Sequence, residues 1–223
     1  MKKIIIPVAL TMLAAMPVFA QDRVVDNPDN RAYFGLRVGG EITCPGNISM
    51  SNVGVGVFKN GGGVELGGIY NIPVVANFYI EPGLKFYYNT YSLKDEYLDA
   101  FEGDVSLDGM TLKKYGMRVP VMAGYHFDFT DDVKVSLFTG PELEIGFSAK
   151  GSIKSGGVEM TESVYGDDGG MKRVDILWGA GAGITYRQFY FGVGGSFGML
   201  NMLSDSDVTF HENRVTFSLG YNF

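Results

Sequence analysis

The chain has 223 residues, 18 basic and 25 acidic side chains, a net charge of −7 and 32 glycines. That length suits one domain, and the acidic balance argues against binding nucleic acid through bulk electrostatics. One cysteine, Cys44, excludes an internal disulfide, and two histidines beside it cannot assemble a zinc-type cluster.

The first twenty residues read as a secretory leader. Lys2 and Lys3 precede an apolar run from Ile4 to Met16, and Val18-Phe19-Ala20 supplies a small-residue cleavage site. Gln21 rather than Cys follows the cut, which argues against a lipoprotein anchor. Residues 21–30 form a polar lead, periplasmic in this scheme, and residues 31–223 the folded domain.

From there the chain alternates between apolar and polar positions, as strands with two unlike faces do. The first strand, about Ala32 to Ile42, sets Phe34, Leu36, Val38 and Ile42 against Arg37 and Glu41. Thr43 to Gly61 is a long connection in which Val53 to Phe58 also alternates. The second strand, about Gly63 to Ile72, opposes Val64, Leu66, Tyr70 and Ile72 to Glu65, with Ile69 on the polar face. A short turn, Pro73 to Asn77, leads to the third, Phe78 to Tyr91, where Phe78, Ile80, Leu84, Phe86 and Tyr88 oppose Glu81, Lys85 and Asn89. Ser92 to Thr111 reads as a long, acidic, mobile connection.

The fourth strand, Leu112 to Tyr125, sets Tyr115, Met117, Val119 and Val121 against Lys114 and Arg118. After a turn at His126 to Asp132, the fifth, Val133 to Ser148, sets Val135, Leu137, Leu143, Ile145 and Phe147 against Lys134, Glu142 and Glu144. A long connection runs to Met171. The sixth strand, Lys172 to Tyr186, opposes Val174, Ile176, Trp178 and Ile184 to Arg173 and Asp175. It turns at Arg187 into the seventh, Gln188 to Met199, with Phe189, Phe191, Val193 and Phe197 on its apolar face. Leu200 to His211 precedes the last strand, Glu212 to Phe223, whose odd positions from 215 read Val, Phe, Leu, Tyr, Phe and whose polar face begins with Glu212 and Arg214.

Eight such strands behind an export signal predict an all-β fold: an eight-stranded antiparallel up-and-down transmembrane β-barrel with apolar residues facing lipid. Connections alternate long and short, which places every short turn and both termini on the periplasmic side of a Gram-negative outer membrane. Aromatics gather near both ends of the strands, as two interfacial girdles should.

The inward charges are Arg37, Glu41, Glu65, Glu81, Lys85, Lys114, Arg118, Lys134, Glu142, Glu144, Arg173, Asp175, Glu212 and Arg214. Seven bases face seven acids inside a barrel only wide enough for side chains to fill. Balance points to an ion-paired interior rather than a wide channel. Inward glycines (Gly35, Gly83, Gly140, Gly179, Gly181, Gly183, Gly192 and Gly194) would make room for the long charged side chains.

Signals for chemistry are weak. His211 near Ser204 and Ser206 is the nearest thing to a base beside a nucleophile, and one histidine among polar loop residues is more often just a loop. Asp104 to Gly109 imitates the start of a calcium loop, but Tyr115 stands where the twelfth-position Glu is needed. Gly179 to Gly183 lies on a strand and makes no nucleotide site. No catalytic residue, cofactor or metal is expected.

Four stretches carry a family resemblance: Tyr79-Ile80-Glu81-Pro82-Gly83-Leu84, Val119-Pro120-Val121, Gly140-Pro141-Glu142-Leu143, and Asn213 to the terminal Phe223. Together they resemble the outer-membrane β-barrel (porin-like) family widespread in Bacteroidetes, over almost all of the exported chain. The resemblance implies an eight-stranded barrel that tolerates Pro82, Pro120 and Pro141 within its strands. It also implies an assembly signal in Phe217, Leu219, Tyr221 and Phe223, read by the barrel-assembly machinery. The expected role is non-enzymatic: envelope integrity, or surface interaction through the long loops. The alternatives are an accessory component of a secretion system, since a similar barrel serves the type IX system, or a small porin; a lipid-modifying enzyme stands last. Expected partners are outer-membrane lipid, the assembly machinery and a surface or secretion partner.

Overall fold

The computed structural model describes residues 31–50, 53–98, 107–155, 158–166, 170–204 and 207–223. The leader and the polar lead, residues 1–30, lie outside the described residues. Twelve strands follow: β1 (Tyr33–Pro45), β2 (Ile48–Met50), β3 (Val53–Val55), β4 (Gly61–Val75), β5 (Phe78–Ser92), β6 (Leu107–Thr130), β7 (Val133–Ser155), β8 (Val158–Ser163), β9 (Val174–Tyr186), β10 (Phe189–Gly198), β11 (Val208–Thr209) and β12 (Glu212–Asn222). Eight of them, β1, β4, β5, β6, β7, β9, β10 and β12, pair antiparallel in chain order, and β12 returns to β1 to close the ring. The closing seam runs from Gly35 opposite Asn222 to Pro45 opposite Glu212. Closure removes every free strand edge within the wall, which is what a sheet needs in lipid. Among the described residues no helix is long and apolar enough to cross a membrane.

Alternation sorts the side chains. Leu36, Val38, Leu66, Phe86, Leu137, Ile184, Phe191, Phe217 and Leu219 stand exposed on the outside. Arg37, Glu41, Glu65, Lys114, Arg118, Glu142 and Glu144 are buried inside. Aromatics crowd the end that carries the termini. Phe78, Tyr125 and Phe127 meet edge to face, and Phe189, Tyr221, Phe223 and Phe34 form a second run. At the opposite end Tyr115 and Phe147 meet at 6.3 Å.

Two connections are tighter than the sequence suggests, and the third, at Arg187, is a tight turn as expected. Ala76-Asn77, Asp131-Asp132 and Arg187-Gln188 are two-residue turns, with Ala76 and Arg187 at positive φ. The residues assigned to the turns, Pro73 to Val75 and His126 to Thr130, extend the strands instead. In the second of these, Phe127 and Phe129 stand exposed and continue the outward phase of the strand, while His126 faces in.

The long connections are more ordered than expected. Of the stretch Ser92 to Thr111, Ser92 ends β5, a helical turn spans Asp95–Leu98 and β6 begins at Leu107, while residues 99–106 lie outside the described residues. β6 and β7, of 24 and 23 residues, rise past the other strands and pair with each other up to Leu107 opposite Ser155. β8 adds to the free side of that extension. β2, β3 and β11 form a second, three-stranded sheet at the same end. Pro82 interrupts its ladder without slipping it, since pairing runs from Pro82–Val121 directly to Lys85–Arg118 in unchanged register, whereas the β4–β5 register shifts between Pro73 and Val75.

Candidate functional site

The barrel lumen is the site that the sequence singles out, and the structure divides it into layers. The end opposite the termini holds an apolar cluster of Tyr91, Leu112, Ala149, Tyr165, Met171, Met202 and Phe210, with Ile48, Phe58, Val164 and Leu203 packed against it. Phe58 meets Tyr91 at 5.2 Å and Phe210 at 5.7 Å. Strand tips supply Tyr91, Leu112 and Ala149; the rest comes from the long connections, which fold over the mouth. A bulge in the β6–β7 pairing makes this possible. It sets Phe147 outward and reverses the phase of β7, so Ala149 turns in and Lys150 turns out.

Beneath this cap lies a continuous network of charge. Glu144 is its hub, accepting hydrogen bonds from Tyr87 (2.9 Å), Arg118 Nε (2.9 Å), Arg214 (3.1 Å) and Lys114 (3.4 Å). Lys114 also donates to Glu212 at 2.6 Å. Arg118 reaches across to Glu41 and to Glu65 at 3.3 Å, and Lys85 donates to Glu65 at 2.7 Å. Arg214 pairs with Glu142. The Arg118 guanidinium lies 3.9 Å from the centre of the Tyr87 ring, and Asn89 donates to Glu41 at 3.1 Å. Arg118 and Lys114 are 1% and 0% exposed, so only these partners offset the loss of water.

Nine of the fourteen candidate charges meet in this network. The other five do not join it through these contacts. Arg37 is buried nearer the termini, its guanidinium 4.0 Å from the Tyr190 ring centre. Glu81 accepts from Asn71 at 3.1 Å, Lys134 lies 3.8 Å from Asp128, and Asp175 accepts from the Leu200 backbone at 3.2 Å. Arg173 corrects the expectation outright: it is exposed. β9 begins at Val174, so Arg173 escapes the alternation, and its guanidinium donates to the Phe147 carbonyl at 3.1 Å.

Below the network is a cavity of about 70 Å³ lined by Arg37, Glu65, Glu81, Lys85, Glu142 and Arg214 and by the glycine-rich β9–β10 wall. Three of the inward glycines make room for rings rather than for charges. A Cβ on Gly183 or Gly192 would overlap Tyr190, and one on Gly181 would overlap Phe138. Gly35 does make room for Arg37. The end near the termini is filled by Tyr33, Tyr79, Asn71, Asn222 and His126, all buried.

The buried tyrosines are what sequence reasoning missed. Tyr79, Tyr87 and Tyr91 share the odd parity of Glu81, Lys85 and Asn89, so their inward placement was signalled by the same alternation that places the charges. His126 was also missed. It stacks on Tyr79 at 4.1 Å and shares a 2.8 Å hydrogen bond with Ser136, a pair sealed from solvent. At the other end, His211 Nδ1 has no hydrogen-bond partner among the described residues, and Ser206 lies outside them. Among the described residues no group of three or more metal-ligating side chains comes together.

Phe217, Leu219 and Phe223 are exposed on the outer face of the closing strand, with Tyr221 half-buried between Phe189 and Phe223. The Phe223 amide donates to Phe34 at 2.8 Å, tying the last residue to the first strand.

No curated protein matches the chain. Solved structures similar to it include Ail of Yersinia pestis, at 14% identity over 86% of this chain and 99% of that one, with a TM-score of 0.45. Neisserial surface protein A is 14% identical over 86% and 99%, with a TM-score of 0.44. OprG of Pseudomonas aeruginosa is 10% identical over 86% and 95%, with a TM-score of 0.47. The model of the outer membrane protein beta-barrel domain matches residues 19–204. The closed eight-stranded ring and that match establish that the chain belongs to the outer-membrane β-barrel family and is an outer-membrane protein.

Proposed function

We propose that this protein is a non-enzymatic outer-membrane barrel with a closed interior, serving envelope integrity or surface interaction through its outward connections. The observation that carries this reading is the doubly closed lumen. The apolar cluster around Tyr91, Phe58 and Phe210 stoppers one end, and the network around Glu144 fills the section beneath it. A solute would have to displace both, and the cavity lined by Arg37, Glu81 and Arg214 below them holds about 70 Å³. In planar bilayers the purified protein is expected to give no large, steady conductance. Stable porin-sized current steps would overturn the closed interior and promote a channel.

The proposal includes export directed by residues 1–20, assembly through the Phe217, Leu219, Tyr221 and Phe223 face, and kinship with the Bacteroidetes barrels. Its orientation places both termini in the periplasm. Three two-residue turns at one end and every long connection at the other support this arrangement. An epitope inserted beside Glu96 should be labelled on intact cells, and one at Asp131 only after permeabilisation. Labelling of the Asp131 tag on unbroken cells would invert the barrel.

A further inference from the structure

The outer face of the wall formed by β5, β6 and β7 carries a polar cleft directly above the aromatic girdle. Tyr88, Tyr115 and Phe147 are exposed there, and Tyr88 and Tyr115 are cross-strand partners. Two residues beyond Tyr115, and therefore on the same face, stands Lys113. Its cross-strand partner in β7 is Lys150. Both lysines are exposed, and neither forms an ion pair among the described residues. Like charges directly opposite on a sheet repel, and an anion between them would reverse the sign of that interaction.

The next row up is hydroxyl-bearing. Ser92, Thr111 and Ser152 are successive cross-strand partners, and the Ser92 and Thr111 hydroxyls lie 3.2 Å apart. With Lys59, Lys113, Lys154, Asp95 and Glu159 they line a cleft of about 350 Å³. Asp95 holds Lys59 at 2.7 Å and Glu159 lies 3.8 Å from Lys154. That leaves Lys113 as the cation of the cleft lining without an ion pair among the described residues, with Lys150, its cross-strand partner, just outside that lining. Below the girdle, exposed Phe86, Val121 and Leu143 continue the same wall as an apolar surface. From the membrane outward the order is apolar, aromatic, cationic, hydroxyl-rich.

We propose that this cleft, with the adjoining Lys150, binds the phosphorylated sugar headgroup of an outer-leaflet glycolipid, with phosphate at the rim between Lys113 and Lys150 and sugar hydroxyls on Ser92 and Thr111. Acyl chains would lie along Phe86, Val121 and Leu143. A headgroup fits better than a free anion because the cations stand immediately above a lipid-facing wall, where a phosphate on an acylated sugar sits. The proposal rests on the orientation that puts this end of the barrel outside the cell.

The test uses folded protein in detergent, where orientation plays no part, with bound lipid counted by native mass spectrometry. Bis-phosphorylated lipid A, the same lipid after phosphatase treatment, and inorganic phosphate serve as probes. Wild-type protein should retain one lipid A per barrel. The K113Q/K150Q variant should bind it about thirtyfold more weakly, and wild type should lose a similar factor toward the dephosphorylated lipid. Heat-modifiable gel migration checks that the variant is folded, and the dephosphorylated-lipid arm needs no variant. Equal binding of both lipids, or binding unchanged by the two substitutions, overturns the site. Displacement of lipid A by inorganic phosphate at equal potency overturns the glycolipid in favour of a free-phosphate site. The labelling of tags at Glu96 and Asp131 fails or succeeds independently of all three outcomes.

Discussion

Replacing Glu144 by Ala is expected to destabilise the folded barrel by about 3–5 kcal/mol, the cost of removing one partner from a buried ion-paired network. Glu144 accepts from Lys114, Arg118 and Arg214, and Lys114 and Arg118 have almost no access to water. Its loss leaves Lys114 with Glu212, Arg214 with Glu142, and Arg118 with Glu41 and Glu65. Four donors that shared one carboxylate then compete for fewer acceptors. An exposed pair should behave differently: Lys59→Ala removes the contact to Asp95, whose side chain is 78% exposed, and should cost no more than about 1 kcal/mol. Guanidinium unfolding in lipid vesicles, followed by heat-modifiable migration, measures both. Equal, small losses in the two variants would mean that water reaches the lumen and screens the network.

The second large effect is expected on the outside. Leu219→Arg should cost roughly 2–4 kcal/mol, the penalty for a charge at a lipid-facing position near the bilayer midplane. Leu219 is 59% exposed, on the face opposite to Ser218, which lines the cavity. Its cross-strand partner Val38 and its other neighbour Phe191 are exposed too, so the arginine would find no acid beside it. Leu219→Phe should be nearly neutral, because the ring has open space to occupy. Spin labels at positions 219 and 193 should report lipid, and one at 218 should not. A label at 219 reporting water would reverse the assignment of the two faces.

Together these effects describe a barrel whose stability is set by two opposite solvents. Outside, any charge is penalised; inside, any charge without its partner is. The apolar cap complicates the second rule usefully. Because Tyr91, Leu112, Tyr165 and Phe210 close the mouth without charge, a variant that loosens the Glu144 network need not open a channel. Stability and conductance can therefore be separated by experiment.

The strand count, the apolar outer face and the inward placement of most charges were legible in the sequence. Alternation has a period of two, and a single strand such as Glu212 to Phe223 displays it without reference to any partner. Loop lengths carried the up-and-down order for the same reason: a hairpin is a local object. Arg173 shows where this stops, since the alternation rule holds only as far as the ladder does and β9 begins one residue later. The sequence could not decide which charges meet. Arg118 and Glu41 are 77 residues apart and Lys114 and Glu212 are 98 apart, joined only once the ring closes. Nor could it show that Phe58, Tyr165, Met171, Met202 and Phe210 come together, because they belong to three different connections with no shared periodicity. Local chain geometry determines which face a side chain takes; only closure of the barrel determines what stands across from it.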